Sequence, residues 1–238
     1  MPTRSDVEQL RAANAAISRL VRSEVAALWA SLNPERDPDA ARWALLQAMP
    51  GLVDRYGDIA ASVSAEWYDE MRAKAEATGR YRALPAPHVI VRQVEKATGW
   101  ASRDVLSPEQ TVSGLQVVAN RLVLQQGRDT IARNAKRENI RWARVPAGDE
   151  TCAFCLMLAS RGFAYDTEHS ASRQRDGNKY HGDCDCVPTP SWGKADQEIE
   201  GYAPDALYQT YLNARGDISN AFDTKGILSR LREQQGIH

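Results

Sequence analysis

Apolar residues recur at steps of three and four through the first part of the chain. Val7, Leu10, Ala13, Ile17, Val21, Val25 and Leu28 fall on one helical face. Ser5 or Asp6 can cap this helix, and Asn33-Pro34 ends it. Asp39 is placed to cap a second helix carrying Trp43, Leu46 and Met49, which Pro50-Gly51 interrupts. A third carries Val53, Tyr56, Ala60, Val63, Trp67 and Met71 and closes at Gly79. Val89 to Ala97 reads as a shorter helix, although Val89-Ile90-Val91 alone also suits a strand. Ser107-Pro108-Glu109-Gln110 has the form of a capping box with proline at the first helical position. The long helix that follows has Val112, Leu115, Val118, Leu122 and Val123 as its buried stripe. Its charged stretch from Arg128 to Glu138 is expected to be exposed.

The pattern changes at Ile140. Ile140 to Val145 suggests a strand of period two, and Pro146-Ala147-Gly148-Asp149 is turn chemistry. A small helix from Phe154 to Ser160 is stopped by Gly162, and Phe163-Ala164-Tyr165 suggests a second short strand. Residues 166–179 are almost wholly polar and read as a surface loop. Two helical segments, Asp205 to Ala214 and Lys225 to Gln234, complete the pattern. The fold class expected is mainly α: an elongated N-terminal helical region, a small α+β zinc-binding lobe and C-terminal helices. The corresponding divisions are 1–139, 140–192 and 193–238. Several helices carry only a modest apolar stripe, so the first region is expected to lack a single compact core and to keep surface for partners.

Composition adds mostly exclusions. With 43% hydrophobic and 26% charged residues over 238 positions, neither a disordered chain nor a membrane protein fits. No apolar run approaches the roughly 20 residues needed to cross a bilayer, and no signal-peptide hydrophobic region follows Met1, so the expectation is a chain that is intracellular when made. Basic residues number 30 against 31 acidic, and the near-balance holds along the chain, which argues against a dedicated nucleic-acid binder while leaving room for a local patch.

The cysteines carry the chemistry. All four lie within 35 residues, as Cys152-x-x-Cys155 and, after 25 further residues, His181-x-x-Cys184-x-Cys186. A Cys-x-x-Cys turn aims two thiolates at one ion, and a second pair from a distant turn completes a tetrahedron, for which zinc is the natural guest. Five candidates, Cys152, Cys155, His181, Cys184 and Cys186, compete for four positions. If all four thiols ligate, His181 becomes an outer hydrogen-bond donor or a free imidazole. Reduced core thiols or a redox-active pair leave the second cluster unexplained, and disulfides would still serve as a staple. A site closed by four ligands is structural, since a catalytic zinc keeps an open position and a neighbouring acid or base.

Other chemistries lack their residues. The chain has no His-x-Glu preceding a Cys-x-x-Cys as in nucleobase deaminases, no His-Glu-x-x-His, no phosphate-binding glycine loop and no Gly-x-Ser-x-Gly elbow. His169, beside Glu168 and Ser170 in the polar loop, does not make a triad, which needs a rigid framework. His88 reads as a turn or helix-start residue. Trp142 and Trp192 bracket the cysteines and read as packing for the small lobe. Arg141, Arg144 and Arg161 suit a local basic face or, by default, a solvated salt-bridged surface.

Three stretches, Arg144-Val145-Pro146-Ala147-Gly148-Asp149-Glu150-Thr151-Cys152-Ala153-Phe154-Cys155, Ala159-Ser160-Arg161-Gly162 and Tyr180-His181-Gly182-Asp183-Cys184-Asp185-Cys186-Val187-Pro188, resemble the C-terminal core of phage Mu F-like minor head proteins, above all those of actinobacterial phages and prophages. The motifs cover residues 144–188, and the order of helical region and cysteine core is similar too. The resemblance implies a virion protein inside the procapsid, associated with the portal, acting in head morphogenesis and carried with DNA at ejection. It implies portal, major capsid or scaffolding partners, indirect contact with packaged DNA, no membrane, and residence in the host cytoplasm during assembly. Some relatives are labelled capsid maturation proteases, which is the alternative reading, but no nucleophile and base can be named here. Others carry fused toxin domains, which the 50 residues after Pro188 are not expected to hold.

Overall fold

In a computed structural model the chain is described over residues 2–148, 151–165, 184, 186–193, 198–216, 218, 220 and 223–237. Seven helices and one two-stranded sheet occur among these residues. Helix α1 spans Arg4–Ala30 and starts from Thr3, upstream of the expected caps. The Asp6 amide donates to Thr3 Oγ1 at 3.3 Å and the Thr3 amide to Asp6 Oδ2 at 2.8 Å, so Asp6 completes a capping box from inside the first turn. Helix α2 runs from Pro38 to Lys74, capped by Asp37 rather than Asp39. It contains Pro50, so the two helices read from the sequence are one. Leu45 and Met49 before the proline and Leu52 and Val53 after it are buried in a single cluster. That continuous burial outweighs the one backbone hydrogen bond the proline removes. The helix stops at Lys74, before Gly79.

Helix α3 is Val91–Ala101 and helix α4 is Pro108–Glu138. Ser107 makes no side-chain cap to α4; its hydroxyl donates instead to Asp104 Oδ2 at 2.7 Å. The charged second half of α4 is not an exposed end. Arg128, Thr130, Ile131, Ala132, Asn134 and Ala135 are all buried, because α4 lies against α2, α1 and the sheet. Two glycines set the α2–α4 approach. A Cβ on Gly127 would sit 2.7 Å from Ser64 Oγ and 3.0 Å from the Ala60 carbonyl, and one on Gly57 would meet Gln126 Oε1. The stripes of α1, α2 and α4 therefore cover one another. Trp43 on α2, Ile90 just before α3 and Trp100 on α3 remain exposed.

After α4, strand β1 (Arg141–Val145) pairs antiparallel with β2 (Val187–Ser191), from Arg141 opposite Ser191 to Val145 opposite Val187. β1 is exposed only at Arg141, so the expected alternation is absent: its second face is covered by helices. β2, Val-Pro-Thr-Pro-Ser, carries no strand signal in the sequence. Its prolines alternate onto the side away from β1, where no ladder hydrogen bond is needed. Phe163 to Tyr165 yields a single bridge rather than a strand: the Trp142 and Tyr165 amides each donate to the other's carbonyl, at 2.9 and 3.2 Å. Trp142 and Tyr165 join Val7 and Leu10 of α1, Trp67, Tyr68 and Met71 of α2 and Ile131 of α4 in one core cluster. Helix α5 (Ala153–Ala159) packs through Met157 and Leu158 on Ile227 and Leu231 of the last helix, α7 (Thr224–Gln235), and α6 (Pro204–Arg215) completes that cluster.

Candidate metal centre

The cysteines come together between these layers. Cys152 is the N-cap of α5 and its sulfur accepts the amide of Cys155 at 3.3 Å. This cap turns both side chains toward the same side of the short helix. Cys184 and Cys186 stand just before β2, so the register of β2 on β1 fixes their position. Cys155, Cys184 and Cys186 are buried with their sulfurs all within 4.8 Å of one another, and Cys152, partly buried, packs against them. All four are free thiols. Cys155 and Cys184 share a hydrogen bond of 3.0 Å, well beyond the roughly 2.05 Å of a disulfide. His181, the fifth candidate, lies outside the described residues, as do Asp149, the 166–179 stretch and His169.

The charge around the sulfurs is uneven. Hydrogen bonds from Cys155 and Cys186 hold the Cys184 thiol well below the usual range against the effect of burial, and the nearby Arg128 guanidinium pulls the same way. Cys155 is pushed well above it by hydrogen bonds to Cys152, Cys184 and Cys186 and by burial. Cys186 is pushed well above it too: its hydrogen bond with Cys155 pulls downward, as does the Arg144 guanidinium, but the hydrogen bond with Cys184, burial and the charge on Cys184 together outweigh them. Both arginines are almost fully buried. Arg144 was expected on a basic surface; the covered face of β1 takes it inside instead, while Arg141 stays exposed and Arg161 lies against the Tyr165 ring. The sequence pattern also passed over Arg128. Its one signal is the spacing from Asn120 and Leu124, which puts it on the inward stripe of α4.

This arrangement fits a metal held by thiolates. Burying guanidinium groups beside neutral thiols is costly, whereas thiolates on a cation leave a net negative charge that two buried arginines offset. The donor set is sulfur-rich, and sulfurs from two chain segments converge on one point, which suits a thiophilic cation. Elsewhere, Trp192 is half-buried and its Nε1 donates to Glu138 at 3.0 Å, consistent with packing at the sheet edge. His88 sits in the loop before α3, where Nδ1 pairs with Asp54 and lies 3.4 Å from Asp58. All three are exposed, and nothing in the spacing of the chain signals the cluster.

Comparison with known proteins decides the family. Residues 1–214, which include the whole cysteine cluster, match the family described as VG15 protein. The chain belongs to the VG15 family. The Gene 15 protein of Mycobacterium phage D29 is 33% identical over 239 aligned positions, covering 82% of this chain and 86% of that protein. The Gene 15 protein of Mycobacterium phage L5 is 30% identical over 189 positions, covering 61% of this chain and 64% of that relative, so the chain spans a little under two thirds of the L5 protein. This VG15 member is therefore a phage protein. No solved structure matches it.

Proposed function

We propose that this VG15 protein is a minor head protein of a tailed phage, bound near the portal inside the procapsid and acting in head morphogenesis. The observation that carries the reading is the buried thiol cluster at the meeting point of α4, α5 and the sheet. It occupies the Cys-x-x-Cys and Cys-x-Cys segments through which the chain resembles Mu F-like head proteins, inside a family of phage proteins. Cys155, Cys184 and Cys186 would hold a zinc ion together with Cys152 or His181. The ion would supply a cross-link between α5 and β2, stabilising a lobe whose own apolar core is small. The exposed Trp43, Ile90 and Trp100 give the helical part surface for portal, major capsid or scaffolding subunits. No helix among the described residues is long and apolar enough to cross a membrane.

Quantitative mass spectrometry of gradient-purified virions and procapsids tests the role. The expected result is this chain at a few copies per particle in both. Presence in the infected-cell lysate with absence from both particles would contradict it. Heads assembled without the gene should be defective while retaining full-length capsid subunits if assembly is its role. Loss of specific capsid cleavage would favour the maturation-protease reading instead.

A further inference from the structure

A cleft with a volume of about 330 Å³ lies beside the thiol cluster, between α1 and α4. Arg11, Arg19 and Arg22 of α1 and Arg128 of α4 line it, and Cys184 and Cys186 form part of its wall. No carboxylate is among the described residues of that lining. In a chain of near-zero net charge, four guanidinium groups around one cleft are a local concentration rather than a reflection of composition. Arg11 and Arg19 are exposed, and among the described residues neither has a hydrogen-bond or ion-pair partner.

The helix itself does not account for these charges. Arg19 and Arg22 are three residues apart on one face, a like-charge spacing that disfavours the helix, and no acid stands three or four residues from either. Glu8, three residues before Arg11, is engaged by Arg4 at 2.9 Å. The walls are fixed: Gln116 Nε2 of α4 donates to the Arg22 carbonyl at 3.1 Å, and Arg128 is tied to the Cys184 carbonyl. Arg128 is held by the Cys184 segment, which leaves the exposed Arg11 and Arg19 to face a ligand.

We infer that this cleft is a phosphate-binding site, taking the phosphate of a nucleic-acid backbone or a free phosphate anion. Guanidinium groups match phosphate oxygens in pairs, and the packing of α1 on α4 brings several of them to one cleft. The inference stands apart from the head-assembly reading, since it needs only the arginines and the cleft.

The test uses the full chain at low salt, with a fluorescein-labelled 20-base-pair DNA duplex followed by anisotropy and inorganic pyrophosphate followed by calorimetry. Saturable binding of either probe is expected, weakening as salt is raised. The pair Arg11→Gln/Arg19→Gln should weaken it at least about tenfold, and Arg92→Gln/Lys96→Gln, an equal charge loss on the exposed face of α3, less than about twofold. Thermal unfolding checks that both pairs fold. Competition between pyrophosphate and DNA on the unaltered chain reads the site without any substitution. Displacement of DNA by pyrophosphate would show both sources sharing the cleft, DNA binding alone would assign a backbone phosphate, and pyrophosphate binding alone a free anion. Absence of binding by both probes, or equal losses in the two variant pairs, would overturn the inference.

Discussion

The Nη2 of Arg128 donates to the carbonyl oxygen of Cys184 at 2.5 Å, joining the middle of α4 to a residue 56 positions later. This bond sets the height of the Cys184–Cys186 segment against the helical body, and the same guanidinium stabilises negative charge on the Cys184 sulfur. Arg128→Met should therefore act twice. A charged hydrogen bond is lost, costing about 2 kcal/mol of stability in urea unfolding, and competition with a chromogenic chelator should show weaker metal retention. Arg128→Lys should recover part of the second effect.

Glu138, the last residue of α4, serves three donors with one carboxylate: Tyr68 Oη at 2.8 Å, Arg72 Nε at 2.6 Å and Trp192 Nε1 at 3.0 Å. It pins α2 to the end of β2. Burial and the hydrogen bond to Glu138 push the Tyr68 hydroxyl far above its ordinary range, so it stays a donor at every accessible pH. Glu138→Ala leaves Arg72 mostly buried without its anion and should cost about 3 kcal/mol by chemical denaturation. Tyr68→Phe, which removes one donor of three, should cost about 1 kcal/mol.

Acid should weaken the start of α1. Burial alone would raise the pKa of Asp6, but hydrogen bonds from Lys74 and from the Thr3 amide and hydroxyl outweigh it and leave the carboxyl below its ordinary value of 3.8. A depressed folded-state pKa adds stability that is fully present above the unfolded value and is lost as pH falls through the folded one. Urea unfolding at pH 6 and pH 2.5 should show a larger loss for the unaltered chain than for Asp6→Asn, the two converging at the acid end. An equal pH dependence would contradict the role of this carboxylate.

Two glycines on the long helices should respond with opposite signs. Gly127→Ala drives a methyl into Ser64 Oγ and the Ala60 backbone, and should lower stability by about 1–3 kcal/mol despite the better helix propensity. Gly51→Ala in α2 meets nothing within 4 Å and should raise stability by about 0.5–1 kcal/mol. Thermal melts of the two variants make the comparison directly.

The helices were legible because their stripes are local. The three-and-four spacing of Val7 to Leu28 marks α1, and the segment Asp205 to Ala214 falls within α6, Pro204–Arg215. Failures came where tertiary contacts overrule local chemistry. Pro50 looked like a break and became an interior residue because the same cluster buries both sides of it. β2 was missed because two prolines in five residues argue against a strand unless they alternate away from the partner. Arg128 and Arg144 were read as surface because charge usually is; their burial follows from what lies beside them, which spacing does not encode. The thiols were the opposite case. Their clustering in the sequence already pointed to a shared location, and the structure brings Cys155, Cys184 and Cys186 together with Cys152 against them.

The most direct test of the account is the metal content of the purified full chain, by native and denaturing mass spectrometry with thiols counted in parallel. The account predicts about one zinc per chain and four thiols on denaturation, with zinc and the α5–β2 lobe lost together on chelation. Four free thiols in a chain that folds identically with no metal bound, before and after incubation with zinc, would contradict it.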